Sequence, residues 1–154
     1  MSYPALMLDS HTSDIETFRQ ARARAGREKL WSRLRGRSAN LRCFHEVDSQ
    51  PDGGTEYRRD YANIPLEAIV GSFERCADYT RNFAPLKDHD QPRWTRVQQA
   101  FVQSKPLPPI QVMKVGSAYF VMDGHHRVSV ARQLGLSHLE AEVLQADTQP
   151  QVDN

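Results

Sequence analysis

The chain has 154 residues, of which 39% are hydrophobic and 25% charged, with a formal net charge of +1. This is the composition of one soluble globular domain, with length to spare for an arm, and it excludes a collagen and a disordered chain. Two cysteines are too few for a disulfide scaffold or a four-cysteine zinc site. No apolar run approaches the ~20 residues a spanning helix needs. Residues 1–10 carry no basic stretch ahead of an apolar one. Neither a membrane span nor a signal peptide is expected, and the cytoplasm is the expected location.

The small net charge conceals an asymmetry. Residues 13–42 hold nine Lys and Arg against Asp14, Glu16 and Glu28, a local charge of +6 that leaves −5 for the remainder. A basic segment on an acidic body suits a nucleic-acid arm. A helix with a solvated arginine face is the commoner outcome. Ser13 and Glu16 have capping-box spacing. Ile15, Phe18 and Ala25, then Leu30, Trp31 and Leu34, recur near helical spacing, which predicts a helix within 13–35. Arg22, Arg33 and Arg37 are compatible with one face of it.

Further along, residues 41–47 and 55–61 read as two short strands. The turn residues Gln50, Pro51, Asp52, Gly53 and Gly54 lie between them, the pattern of a hairpin. Ile64 to Val70 reads as an extended entry followed by a tight turn. Residues 71–91 are polar and irregular, and Asp88, His89 and Asp90 in them read as a solvated charge run rather than a metal site. A helix is predicted over 93–103, with Trp94, Val97 and Phe101 on its core face, stopped by Pro106, Pro108 and Pro109. Strands are predicted over 110–115 and 118–122, joined by Gly116 and Ser117. A helix over 125–134 ends at Gly135, and a last strand covers 139–144. The segments divide as a basic helical extension (1–42), a domain (43–148) and a polar tail (149–154). Cys43 and Cys76 read as plain thiols.

Chemistry concentrates in the run from Tyr119 to Arg127, where an apolar strand meets Asp123-Gly124 and passes straight into a helix. A helix start leaves N–H groups unpaired and carries roughly half a positive charge, a ready place for a phosphate. Gly124 allows close approach of the backbone. Arg127 is poorly placed for the helix dipole unless it faces an anion, which a guanidinium grips with two parallel bonds. His125 and His126 add donors whose charge changes near neutral pH. The competing reading makes Asp123 a helix cap, one histidine a core group and Arg127 a surface cation. A zinc site fits poorly, because neighbouring helical residues point about 100° apart.

The same run resembles the phosphate-binding box of the ParB/sulfiredoxin superfamily, whose Gly-x-x-Arg core is matched by Gly124, His125, His126 and Arg127. Leu107 to Ile110, the hairpin from Ile110 to Met122, and the Ile-Pro-x-x-x-Ile entry from Ile64 to Ile69 are also similar to that family. The segment from Gly71 to Arg75 occupies the place of a polar, arginine-bearing stretch that completes the nucleotide site. The resemblance spans about residues 62–145. It implies an α+β fold, a small mixed sheet with packed helices, here extended by a basic N-terminal helix. It also implies a nucleoside triphosphate, ATP or CTP with Mg²⁺, held by Gly124, His125, His126 and Arg127, with Arg75 closing from the other side. His125 stands where sulfiredoxins have cysteine, which argues against their thiol chemistry.

Three functions follow as expectations. The first is a nucleotide-binding module. The second is a phosphotransferase or phosphodiesterase/nuclease using Asp123, His126 and Glu74, with Glu67 as a further candidate base. The third is a DNA-associated regulator acting through residues 13–42. Nucleotide, DNA and a second copy of the chain are the partner classes to test.

Overall fold

The computed structural model describes residues 12–44 and 56–146. The predicted turn at 50–54, the polar tail at 149–154 and the side chains of Ser13 and Glu16 lie outside what it describes.

In chain order the elements are helix α1 (Thr12–Leu34) and strands β1 (Arg42–Cys43), β2 (Tyr57–Pro65) and β3 (Ile69–Ser72). Helix α2 (Gln91–Val102), strands β4 (Ile110–Val115) and β5 (Ala118–Asp123), helix α3 (His125–Gln133) and strand β6 (His138–Ala146) follow. One sheet runs β1-β3-β5-β4-β6-β2. It mixes parallel pairs (β1 with β3, β3 with β5, β4 with β6) and antiparallel ones (β4 with β5, β6 with β2). The expected α+β class is therefore present.

Alternation along the central strands puts two apolar faces on this sheet. Ile110, Val112 and Val121 join the main core. Met113 and Phe120 join a smaller cluster with Phe44 on the other side. Helix α2 is anchored by Trp94, which is fully buried. Its indole Nε1 donates to Ser129 Oγ of α3 at 2.9 Å, so the polar edge of a buried ring is satisfied. Phe18 of α1 meets the Trp94 ring edge-on at 5.5 Å. With Phe18, Ala21 and Ala25 buried, the first half of the basic helix is packed onto the body and is not a free arm. Arg22 bonds the Asp88 carboxylate at 2.8 Å, so the predicted exposed stripe of Arg22, Arg33 and Arg37 loses its first member.

Two expectations need correction. Strands β1 and β2 do not form a hairpin; they occupy opposite edges of the sheet. Each end of the 41–44 segment needs cover that a local hairpin lacks. Leu41 reaches the main core, and Phe44 stacks on Phe73 at 4.3 Å and meets Phe120 edge-on. Gly71 permits this, since a Cβ there would lie 2.5 Å from the Arg42 carbonyl oxygen and 2.7 Å from the Phe120 ring. Residues 71–91 are also far from a simple polar loop. Tyr79, Thr80, Phe83 and Ala84 are all fully buried. Thr80 Oγ1 accepts from the Ala84 N–H, and the Thr80 carbonyl accepts from the Phe83 N–H. Asp90, expected to be solvated, is buried.

Cys43 and Cys76 form a disulfide, with Cα atoms 5.5 Å apart, instead of standing as plain thiols. They join the end of β1 to the loop after β3 across a sequence separation of 33. Closing a loop of that length stabilises by ~3–4 kcal/mol in the chain-entropy account. Denatured, unreduced protein should therefore show no thiol to Ellman's reagent, and reduction should lower the urea midpoint. Two reactive thiols before reduction would contradict the cross-link.

Candidate functional site

Strand β5 delivers the chain to Asp123, and Gly124 turns it into α3 with φ of 100°. Only glycine adopts that left-handed geometry readily. A Cβ at 124 would also lie 2.6 Å from Ile110 Cγ2 and 2.8 Å from Arg127 Nη2. No side chain caps α3, so Asp123 is not the helix cap of the competing reading. Its carboxylate instead accepts from Arg127 Nη2 at 3.0 Å.

A cleft of about 410 Å³ opens at this turn. Seven of the eight residues selected from the sequence line it: Glu74 and Arg75 from the loop after β3, and Asp123, Gly124, His125, His126 and Arg127 from the turn. Arg93 and Val97 of α2, Leu107, Pro108 and Met122 complete the wall. Glu67 lies elsewhere, beside Arg42 and Arg132.

The seven do not all present themselves to the cleft in the way the sequence implies. Arg127 donates to the Pro108 and Pro109 carbonyls as well as to Asp123. Its guanidinium is thus committed to the protein's own oxygens. His125 is only 5% exposed, and its Nε2 shares a 2.7 Å hydrogen bond with Ser72 Oγ, which also accepts from the Arg75 N–H. The Tyr79 ring stacks on the imidazole. Burial, with Arg75 and His126 adding, pushes the His125 pKa down to about 4, so the ring is neutral at pH 7 and is not the switchable donor expected.

The opposite wall is a charge network. Arg75 Nε donates to Asp78 at 2.8 Å, and Lys87 Nζ lies 2.6 Å from the other Asp78 oxygen. Asp90 lies 3.7 Å from Arg75 Nη2 and 3.5 Å from His126 Nε2. Burial pushes the Asp78 carboxyl up, but the bonds from Lys87 and Arg75 outweigh it and leave it below the usual range. For Arg75 burial pulls down, and Asp78, Tyr79 and Asp90 outweigh it. Burial depresses His126, with Asp90 opposing. Asp78 and Arg93 carry no motif that marks them in the sequence, Ser72 lies unremarked within the 71–75 segment, and Asp90 belongs to what reads as a solvated charge run; only the fold gathers the four.

No family model matches the chain, and no curated protein matches it. Among solved structures it is similar to a sulfiredoxin from Arabidopsis thaliana. The identity is 23% and the TM-score 0.42, over 55% of this chain and 83% of that one. A likeness of this size says nothing about the chemistry of the cleft. No helix among the described residues is long and apolar enough to cross a membrane.

The His125 shift sets a pH dependence. The folded pKa of about 4 lies below the ordinary 6.5, so the unfolded chain binds the proton more readily. The resulting stability is fully present above pH 6.5 and is lost as the pH falls toward 4, as much as ~3 kcal/mol. Urea unfolding across that range should show the decline, and His125→Gln should flatten it. The residual slope belongs to His126, whose pKa burial also lowers from 6.5, while Asp78, lowered from 3.8, adds its loss in the same direction only at lower pH. An unchanged slope in His125→Gln would contradict the buried neutral ring.

Proposed function

We propose that the protein binds a nucleoside di- or triphosphate, with its phosphates in the cleft at the start of α3. The observation that carries the reading is the uncapped start of α3 at left-handed Gly124, opening into a cleft walled by arginines. The N–H groups of the first turn face no side-chain acceptor there, and they favour a phosphate oxygen. Arg93 is exposed and makes no ion pair among the described residues, which suits it to direct phosphate contact. Arg75 is one-third exposed and supplies a second charge. Arg127 is a positioning residue, holding the turn against residues 108–109.

Among the described residues no three His, Cys, Asp or Glu side chains gather to hold a metal. A Mg²⁺ normally takes only one or two carboxylates and brings phosphates and water with it. Asp123, with its side chain 70% exposed at the cleft, fits that limited role. A second reading is phosphoryl transfer, favoured by one observation: Glu74, Asp123 and His126 line the same cleft.

Thermal shift and titration calorimetry with ATP, ADP, CTP and GTP, with and without Mg²⁺, test binding. The preferred nucleotide should raise the Tm. Arg93→Ala should weaken it by about 10- to 150-fold, the worth of a charge-assisted contact of ~1.5–3 kcal/mol, without lowering the Tm of the free protein. Arg127→Ala should lose affinity and stability together, because it frees two proline carbonyls. No shift with any nucleotide would end the reading. Product release that stops in Glu74→Gln would establish turnover.

A further inference from the structure

The second half of α1 has no packing reason to be apolar. Its buried face ends at Ala25. Beyond that point Leu30, Trp31 and Leu34 are 59%, 57% and 71% exposed. Trp31 sits in a second cleft, of about 430 Å³, lined also by Arg24, Arg27, Glu28, Arg35 and Arg81. This cleft shares no lining residue with the one at Gly124. Four arginines face one glutamate in it.

These cations are incompletely satisfied. Arg24 Nε and Nη2 are buried without a hydrogen-bond partner, and the Glu28 carboxylate is 3.8 Å from Arg24. Burial lowers the Arg24 pKa, with Glu28 opposing and Arg27 adding its repulsion. Arg132 is lowered by burial and by Arg24. The crowding is built into the backbone, because the Arg81 N–H donates to the Ala39 carbonyl at 2.8 Å and pins its loop beside α1. An adjoining hollow of about 490 Å³ shares Arg81 and Asn82 with this cleft and adds Arg42, Arg132 and Glu67, so that across the two hollows six arginines face two glutamates. The positive surface is therefore a track rather than a point. Arg35 lies over the Trp31 ring at 5.6 Å. A basic track with an exposed aromatic platform is the combination that binds unpaired nucleotides: phosphates on the arginines, a base on the ring.

We propose that this track, from Trp31 past Arg81 to Arg42, binds single-stranded nucleic acid. The site is separate from the nucleotide cleft and stands whether or not that cleft binds nucleotide. A duplex offers no free base to Trp31, and an anionic membrane offers charge without a stacking partner.

Trp94 is fully buried, so quenching of the protein's indole emission reports on Trp31. Titration of the full chain with a twenty-nucleotide oligo-dT should quench that emission. Fluorescence anisotropy of labelled oligo-dT should show affinity falling ~50- to 130-fold between 50 and 200 mM KCl, as expected for four or five neutralised phosphates. Arg27→Glu combined with Arg35→Glu should weaken binding at least ~10-fold by reversing two charges. Trp31→Ala should weaken it by ~5- to 150-fold, the worth of one stacked base, and Trp31→Phe should retain most of the affinity. All these side chains are exposed, so the variants should keep the wild-type circular dichroism. The proposal is overturned by absent or salt-independent binding of oligo-dT, or by unchanged affinity in the charge-reversal variant. Equal binding of a duplex without quenching, or binding of phosphatidylserine vesicles but not of oligo-dT, would overturn it too.

Discussion

The guanidinium of Arg127 ties together three segments: the Asp123 carboxylate at the end of β5, the carbonyls of Pro108 and Pro109, and its own first turn of α3. A cation in a first turn opposes the helix dipole, and here the carboxylate and the two carbonyls offset that cost. The proline segment depends on the same contact. Pro106, Pro108 and Pro109 have no N–H, so the segment is a poor ladder partner and its carbonyls need outside donors. Gly124 leaves room for the fork, since a Cβ would crowd both Arg127 and Ile110. The position of α3's open end relative to β4 follows from this one cation.

The facing wall is held by different means. Asp78 is gripped by Arg75 and Lys87, and Asp90 is buried between Arg75 and His126. Charges so enclosed are costly to leave unpaired, so this wall is stiffened from within. Most of the arginine charge that the sequence assigns to a ligand is therefore already spent on structure. What remains for an incoming anion is Arg93, part of Arg75 and the backbone N–H groups of α3.

The parts of the fold legible in the sequence are those governed by local rules. Ile110 to Asp123 is a hairpin because a Gly116-Ser117 turn joins two β-rich runs, and α2 shows itself through Trp94 and Phe101. One wall of the cleft was legible too, because Asp123 to Arg127 are five consecutive residues. The 73–90 loop was not. Its buried Tyr79 and Phe83 follow no period, and Phe83 adopts a left-handed φ of 58° that sequence pattern does not reveal. Likewise nothing local marks Ser72 as the partner of His125. The basic helix was legible as a helix, but its division into a packed half and an exposed half depends on where Trp94 stands.

Strand β2 pairs with β6 over nine residues, from Tyr57 opposite Ala146 to Pro65 opposite His138. All of β2 but Ile64 is exposed, so the strand gains little from burial and depends on the ladder. On a ribosome, which makes the chain from its N-terminus, β2 emerges long before its partner. Its edge groups then wait, unpaired, through the synthesis of α2, β4, β5 and α3. Arg58, Arg59 and Asp60 put charge on that edge, which discourages pairing with other nascent chains in the interval. The sheet closes only when β6 arrives, and such long-range closure makes for slow folding.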